Sequence, residues 1–468
     1  MLNCRNISSL STNLFKQCVL MLLFLIFLLH HWYVLLNIPL LPGFDGGYYA
    51  VQVREILRSG NLYYSAPPLA FFIFALFAWI FLSLNIFPET LCIINGVKFG
   101  LALMKALCVF PMYLISKQLT KNEAISIGSA VLLEIHPFFM LLANGTSLYK
   151  NAVGIFFLLC YIYFVNRVST SNNAKDIILA VIFLGLTALT HILDFGIAIA
   201  YTLLYITIDV IRERRLNIRT PLMKLFMLEC IILGVLFVAI IVFFPIYFGT
   251  YYKFESFFKE LITHEEASAS LTFLLSNLMI LVTISFSIVA IIIVAKRNSD
   301  ALNIRILISS SLLAFFLISP EFSPQWHIRF IFVTFIPLLL MIPSILNRVK
   351  TIEGILLIFL LLFSIFLSGY IRHTYALPVI SPEEKEDLLS MAPYIPRENT
   401  IVVTRFGLHY WVTWFLDVKS SYYMNKLEDY IKEYDHVFII FNKQQHPNIP
   451  PYWTILFVGR TLILIKVK

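Results

Sequence analysis

The run from Cys18 to Leu36 reads CVLMLLFLIFLLHHWYVLL and contains no acidic residue, lysine or arginine. At about 1.5 Å per helical residue, a run of this length crosses the roughly 30 Å of hydrocarbon in a bilayer. Comparable runs recur along most of the chain, of which 59% is hydrophobic and only 13% charged. Soluble domains carry about 25% charged residues, so the sequence predicts an α-helical polytopic membrane protein.

The formal net charge of +8 comes largely from Lys and Arg residues in short loops between the apolar runs. Cytoplasmic loops of membrane proteins carry such positive charge, so we interpret it as a determinant of topology and expect no nucleic-acid partner. Arg5 and Lys16 precede the first span, which predicts a cytoplasmic N-terminus and makes residues 37–68 the first outer loop. The chain is expected to lie in the cell membrane as a multi-pass protein, in contact with membrane lipid.

Keeping every basic loop on the cytoplasmic side gives about 11 spans. On this topology Leu69–Phe87 is a re-entrant or juxtamembrane segment, and Ile177–Val210 is a hairpin of two short spans with His191 and Asp194 near its outer tip. The alternative makes Leu69–Phe87 a full crossing and Ile177–Val210 one broken helix, but it moves basic loops outside. The other expected spans are Leu91–Ile115, Ala124–Leu142, Asn151–Val165, Leu225–Phe248, Leu271–Ala295, Ile304–Ser319, Phe330–Leu346 and Gly354–Tyr370.

Beyond Arg372 the pattern changes from long apolar runs to short strand-like and helix-like segments. We therefore divide the chain into a membrane domain, residues 1–371, and a small soluble extracytoplasmic α/β domain, residues 372–468. The second domain is interpreted as an accessory or acceptor-docking module. Strands are expected at Thr400–Thr404, Val437–Phe441, Ile455–Val458 and Leu462–Lys466, and helices at Pro382–Met391 and Asn425–Tyr434.

The first outer loop contains a predicted amphipathic helix that lies in the membrane surface. Asp45 is expected to cap its N-terminus, and Gly60 is expected to end it. One face of this helix comprises Tyr49, Val53 and Ile56, and the residues expected to point away from it are Arg54, Glu55 and Arg58.

Polar side chains collect in the predicted outer loops, whereas the inner loops contain mainly basic anchors. A channel or transporter needs ionisable groups near mid-membrane and usually a duplicated half, and the sequence has few of the first and no convincing repeat. The one-sided distribution therefore indicates chemistry at the outer face. The outer polar set comprises Asp45, Arg54, Glu55, Arg58, Lys150, Asn151, His191, Asp194, His264, Glu265, Glu266, His327 and Arg329.

Two outer segments carry a family resemblance. The first runs from Asp45-Gly46-Gly47-Tyr48-Tyr49-Ala50 through Arg54–Leu62 to Pro67-Pro68-Leu69, and the second is Gly145–Asn151. In this arrangement the chain resembles the C-type (GT-C) membrane glycosyltransferases, such as the protein O-mannosyltransferases and the lipid A aminoarabinose transferases. It departs from them at Asn151, where the family carries a second acidic residue, and at Ser65-Ala66, where some relatives have an acidic–basic pair.

The resemblance implies transfer of a sugar from a polyprenyl-phosphate donor to an acceptor protein, lipid or glycan on the outer membrane face. It implies an inverting displacement in which Asp45 is the catalytic base, since a carboxylate must take the proton of the acceptor hydroxyl. Cations must stabilise the departing phosphate. The candidate substrate-binding residues are Tyr48, Arg54, Arg58, Lys150, Asn151, His191, His327 and Arg329.

No cofactor is assigned with certainty. The outer cluster best suited to a divalent metal ion is His264, Glu265 and Glu266, which a solvated helix explains equally well. Asp45 also has a structural interpretation as a helix cap. Two other functions stay open on the sequence: a surface-polysaccharide polymerase or ligase that uses lipid pyrophosphate donors, and a lipid or glycan transporter.

Overall fold

The computed structural model of the protein is a bundle of apolar helices followed by a small mixed sheet. It describes residues 4–144, 148–171, 173–214, 220–243, 270–295, 301–319, 324–347, 379–445 and 449–468. The helices of the bundle are α1 Cys4–Leu36, α2 Gly46–Ser59, α3 Leu69–Ser83, α4 Glu89–Leu107, α5 Val109–Thr120, α6 Glu123–Ile135, α7 Pro137–Asn144, α8 Tyr149–Thr170, α9 Ala174–Thr190, α10 Ile192–Glu213, α11 Pro221–Phe243, α12 Ser270–Ala295, α13 Ala301–Leu317, α14 Pro324–Val333 and α15 Phe335–Leu346.

The bundle is that of a multi-pass membrane protein. Among the described residues, five segments are long and apolar enough to cross a bilayer: Leu14–Leu36, Glu89–Thr120, Tyr149–Thr170, Ile192–Arg212 and Arg329–Leu346. Shorter apolar helices accompany them at Leu69–Ser83, Ile280–Ile292 and Ala301–Leu317. The number of spans and the side on which each terminus lies stay predictions, and the expected span Gly354–Tyr370 lies outside the described residues.

Helix boundaries divide three of the apolar segments expected from the sequence. The expected span Leu91–Ile115 is divided between α4 and α5 at Cys108. The expected span Ala124–Leu142 is broken at His136, because Pro137 cannot continue a helix and instead begins α7. The predicted break near the middle of Ile177–Val210 is confirmed, since His191 is a single extended residue between α9 and α10.

Helices α3 and α4 pack closely through small residues. A Cβ atom on Gly96 would overlap the backbone of Ala78, so glycine allows the two helices to approach each other as small residues do in membrane bundles. With 15 residues, α3 spans only about 22 Å. Whether Leu69–Phe87 crosses the bilayer fully stays a prediction.

The C-terminal region contains helices α16 Pro382–Met391, α17 Leu408–Leu416 and α18 Leu427–Glu433 and a five-stranded sheet. The strands are β1 Thr400–Val403, β2 Lys419–Ser421, β3 His436–Asn442, β4 Thr454–Val458 and β5 Leu462–Lys466, in the order β2-β1-β3-β5-β4. β1 is parallel to β2 and β3, whereas β5 is antiparallel to β3 and β4. The four expected strands are present. The short β2 and the mostly apolar α17 are not among the elements expected from the sequence.

Helix α2 is the predicted amphipathic helix. Tyr49 and Val53 are buried as expected, and Gly60 ends the helix with a left-handed φ of 76°. Two expectations are wrong. Asp45 makes no side-chain capping bond, and Arg54, which was expected to point away from the apolar face, is 8% exposed. Arg54 is buried because α17 covers α2, a contact between segments far apart in the sequence.

Candidate active site

Two glycines follow Asp45 and bring other backbone close to its loop. A Cβ atom on Gly46 would overlap the carbonyl oxygen of Leu41. A Cβ atom on Gly47 would lie 2.9 Å from the backbone nitrogen of Trp411 in α17. The first glycine therefore lets the loop fold back on itself, and the second lets α17 pack on the start of α2.

Cations from two distant helices act on the Asp45 carboxylate. Lys150 lies in the first turn of α8, and Arg329 lies in α14. Burial raises the pKa of Asp45 above its ordinary value of 3.8, and the positive charges of Arg329 and Lys150 act in the opposite direction without cancelling that effect. Because charges act strongly only over short distances, the carboxylate and both cations share one region. All three are partly accessible.

Aromatic rings surround this carboxylate. The rings of Tyr49 and Tyr149 stack with centroids 4.4 Å apart, and the Tyr49 hydroxyl accepts a hydrogen bond from the backbone N–H of Lys150 at 3.3 Å. The Tyr48 ring lies 5.3 Å from the ring of Tyr410 in α17 and 5.4 Å from Nζ of Lys150. Burial raises the pKa of both Tyr48 and Tyr410, and the nearby carboxylate adds to the effect. The Asp45 carboxylate is thus surrounded by tyrosine side chains.

His191 forms a second polar group with Asn151 and Asp194. Its Nδ1 lies 3.0 Å from Nδ2 of Asn151 and 3.6 Å from Oδ2 of Asp194. The positive charges of Lys150 and Arg329 act on the imidazole as well, so this group adjoins the carboxylate described above. Both carboxylate oxygens of Asp194 are buried, and the Asn151 side chain is close enough to act on this carboxylate.

The arginines of α2 contact the C-terminal region. Arg54 donates hydrogen bonds to the carbonyl oxygens of Trp414 at 2.7 Å and Thr413 at 2.9 Å, and it pairs with Asp417 at 3.0 Å. Arg58 pairs with the same carboxylate at 3.2 Å. These contacts hold the end of α17 on α2. A substrate contact by Arg54 or Arg58 stays a prediction.

The remaining site predictions concern His327 and a metal ion. His327 lies on α14 two residues before Arg329, and its role in substrate binding stays a prediction. The candidate metal ligands His264, Glu265 and Glu266 lie outside the described residues. Within the described ranges, no group of three or more His, Cys, Asp or Glu side chains is arranged to hold a metal ion.

Known proteins resemble the chain in sequence and in fold. A family model described as dolichyl-phosphate-mannose-protein mannosyltransferase matches residues 65–248. The structure of ArnT from Cupriavidus metallidurans bound to undecaprenyl phosphate is similar with a TM-score of 0.60 and 13% identity, over 95% of this chain and 97% of ArnT. The Archaeoglobus fulgidus oligosaccharyltransferase in its apo form is similar with a TM-score of 0.56 and 11% identity, over 90% of this chain and 69% of that protein. Comparison with curated protein sequences gives no match.

The chain has the GT-C fold. The resemblance inferred from the Asp45 loop and the segment ending at Asn151 is therefore confirmed. The match to the mannosyltransferase family model extends over α3 to α11 and includes Lys150 and His191. Asp45 precedes the matched residues and Arg329 follows them, so the convergence of these two residues is an observation of the tertiary structure alone.

The structure places two further tyrosines at the candidate site that the sequence did not indicate. Tyr149 directly precedes Lys150, and its position in the second motif is a signal that could have revealed it. Tyr410 belongs to a helix with the sequence LHYWVTWFL, which is mostly apolar and contains no charged residue. It also lies in a region interpreted as accessory, so no sequence pattern connected Tyr410 with Asp45.

Proposed function

We propose that the protein is a glycosyltransferase that moves a sugar from a polyprenyl-phosphate donor to an acceptor hydroxyl at the outer membrane face. The observation that carries this proposal is the position of the Asp45 carboxylate within reach of the charges of Lys150 and Arg329. A proton acceptor and phosphate-binding cations are the groups that this reaction needs. Similarity to ArnT, whose structure contains undecaprenyl phosphate, supports a donor of this class.

In the proposed reaction, the acceptor oxygen attacks the anomeric carbon of the sugar while Asp45 takes the hydroxyl proton. The bond between the anomeric carbon and the phosphate oxygen breaks, and the phosphate leaves with the electron pair. Attack opposite the leaving group inverts the anomeric configuration. Lys150 and Arg329 stabilise the charge on the departing phosphate. The raised pKa of Asp45 makes its ionised form a stronger base.

The test measures transfer by the purified full-length chain from radiolabelled polyprenyl-phosphate hexoses and pentoses to acceptors in native membranes. Asp45→Asn should lower the rate by about 10²–10⁴-fold, the usual contribution of a general base. Asp429→Asn is the matched control, because Asp429 is exposed on α18. Unchanged turnover in Asp45→Asn would remove this residue from the catalytic role.

The same assay separates the other functions. Preference for a lipid pyrophosphate donor over the monophosphate would indicate a polymerase or ligase. Movement of the labelled lipid across proteoliposomes without a covalent product would indicate a transporter. Analysis of the labelled product as protein, lipid or glycan then identifies the acceptor class.

A further inference from the structure

The backbone around His191 determines which ring nitrogen carries the proton. His191 caps α10, and the backbone N–H of Leu193 donates a hydrogen bond to its Nδ1 at 3.3 Å. A backbone N–H can act only as a donor. Nδ1 must therefore be unprotonated, and a neutral imidazole of this kind carries its proton on Nε2.

Asn151 supports the same tautomer. Its Nδ2 lies 3.0 Å from Nδ1 of His191, and an amide NH₂ group donates to an unprotonated ring nitrogen. Oδ2 of Asp194 is 3.6 Å from the same nitrogen, which is too long for a hydrogen bond. Because Nδ1 has no proton to give, His191 and Asp194 do not form the carboxylate–imidazole pair of a hydrolase triad.

The opposite edge of the ring is available for a ligand. Nε2 of His191 has no hydrogen-bond partner among the described residues. The charges of Lys150 and Arg329 act on this imidazole, and they disfavour a second proton on it. An N–H group placed in this positive region suits an anionic oxygen.

We propose that His191 donates its Nε2–H to a phosphate oxygen of the lipid-linked donor, and that Asn151 is the positioning residue that keeps the proton on Nε2. This inference rests on the proposed function. It identifies His191 as the residue that donates a hydrogen bond to the phosphate group of the lipid-linked substrate. The neutral imidazole complements Lys150 and Arg329, because it supplies a directional hydrogen bond without adding a third positive charge.

The chain contains a matched control for this role. His136 lies between α6 and α7, and its Nδ1 accepts the backbone N–H of Phe138 at 3.3 Å, the same local bond that His191 makes. The ring of His136 instead stacks on Phe335 with centroids 4.9 Å apart. Replacement of either histidine by Asn retains an oxygen that can cap the following helix.

The first experiment measures binding of undecaprenyl phosphate to the full-length chain in nanodiscs. His191→Asn should weaken binding about tenfold, as expected for the loss of a hydrogen bond to a charged group. His136→Asn should bind as the wild type does. Equal affinity of wild type and His191→Asn, with the fold retained, would overturn the proposed contact.

The second experiment uses ¹⁵N NMR of histidine-labelled protein without lipid, with the His191 signal assigned by its loss in His191→Asn. The wild type should carry the proton on Nε2, and Asn151→Asp should move a proton to Nδ1, because the introduced carboxylate can only accept and attracts this proton more strongly than the long 3.3 Å contact from Leu193 opposes it. A wild-type signal with the proton on Nδ1 would refute the positioning role.

These results separate the inference from the proposed function. A wild-type chain that binds no undecaprenyl phosphate, while retaining the Nε2 proton, contradicts the lipid-linked donor itself. A chain that binds the lipid equally well with and without His191 contradicts only the assigned contact.

Discussion

The Asp45 cluster (Asp45, Lys150, Asn151, His191 and Arg329) and the Glu134 cluster (His31, Lys105 and Glu134) contain similar side chains in different surroundings. Each combines a carboxylate and a histidine with a lysine that lies over an aromatic ring. The distance from Nζ to the ring centroid is 5.4 Å for Lys150 over Tyr48 and 4.8 Å for Lys105 over Phe139.

The Glu134 cluster is closed. Nε2 of His31 lies 2.7 Å from Oε2 of Glu134, and no member of the cluster is more than 2% exposed. Its members come from α1, α4 and α6 inside the bundle, where one carboxylate accompanies one lysine. Such a group stabilises the packing of the three helices and offers no entry to a substrate.

The Asp45 cluster is open and more positive. Asp45, Lys150 and Arg329 are partly accessible, and two cations accompany one carboxylate. This arrangement suits an incoming anion, whereas the balanced Glu134 cluster does not. The comparison teaches that access and charge balance, rather than the types of residue present, distinguish a candidate active site from a structural polar cluster.

The largest expected effect is that replacing each carboxylate by an amide has opposite consequences for stability and transfer in the two clusters. Glu134→Gln should lower the free energy of unfolding by about 3 kcal/mol, because it disrupts the buried hydrogen bond between His31 and Glu134 and leaves a buried polar group unsatisfied, and the remaining folded protein should retain its transfer rate. Asp45→Asn should abolish most transfer without lowering stability. Chemical denaturation in detergent, combined with the transfer assay, measures both quantities.

The raised pKa of Asp45 determines whether its carboxylate stabilises or destabilises the folded protein. The pKa is raised in the folded state, so the stability that this group contributes is present below its unfolded value and is lost as pH rises through the folded value. Above the folded value the ionised carboxylate therefore costs stability, and its removal does not. A comparable loss of stability in both variants would contradict the distinction between the clusters.

A smaller effect is expected where α17 is held over the Asp45 cluster. Arg54→Lys cannot reproduce the contacts with Thr413, Trp414 and Asp417 and should cost about 2 kcal/mol of stability, with slower transfer because Tyr410 is no longer held in place. Arg58→Lys is the control, since its exposed ion pair contributes only about 0.5 kcal/mol. Equal effects of the two substitutions on unfolding and transfer would show that the buried contacts do not position α17.

The smallest effect concerns the pH dependence of transfer. The rate should fall as pH decreases through the raised pKa of Asp45, because the protonated carboxyl cannot act as a base. Lys150→Met removes a charge that lowers this pKa, so the acid limb should move to higher pH. Lys105→Met should leave the limb in place. A pH–rate profile that does not move in Lys150→Met would separate Lys150 from Asp45.

Sequence reasoning selects most members of the Asp45 cluster because polar residues are few in so apolar a chain. Asp45, Lys150, His191 and Arg329 were all selected in this way, and charge interactions now connect them. The same reasoning grouped Arg54 with the phosphate ligands, since nothing in the local pattern indicates that Asp417, far away in the chain, would pair with it.

The sequence by itself determined the helical membrane architecture, the amphipathic helix α2 and most strands of the C-terminal sheet, because hydrophobic periodicity and turn residues act over short stretches of chain. Only the tertiary structure decided that Tyr410 faces the Asp45 loop, that His31 pairs with Glu134 and that Asn151 lies against His191. These contacts join segments about 40 to 360 residues apart. Their formation depends on how the helices pack together, which no local pattern of residues specifies.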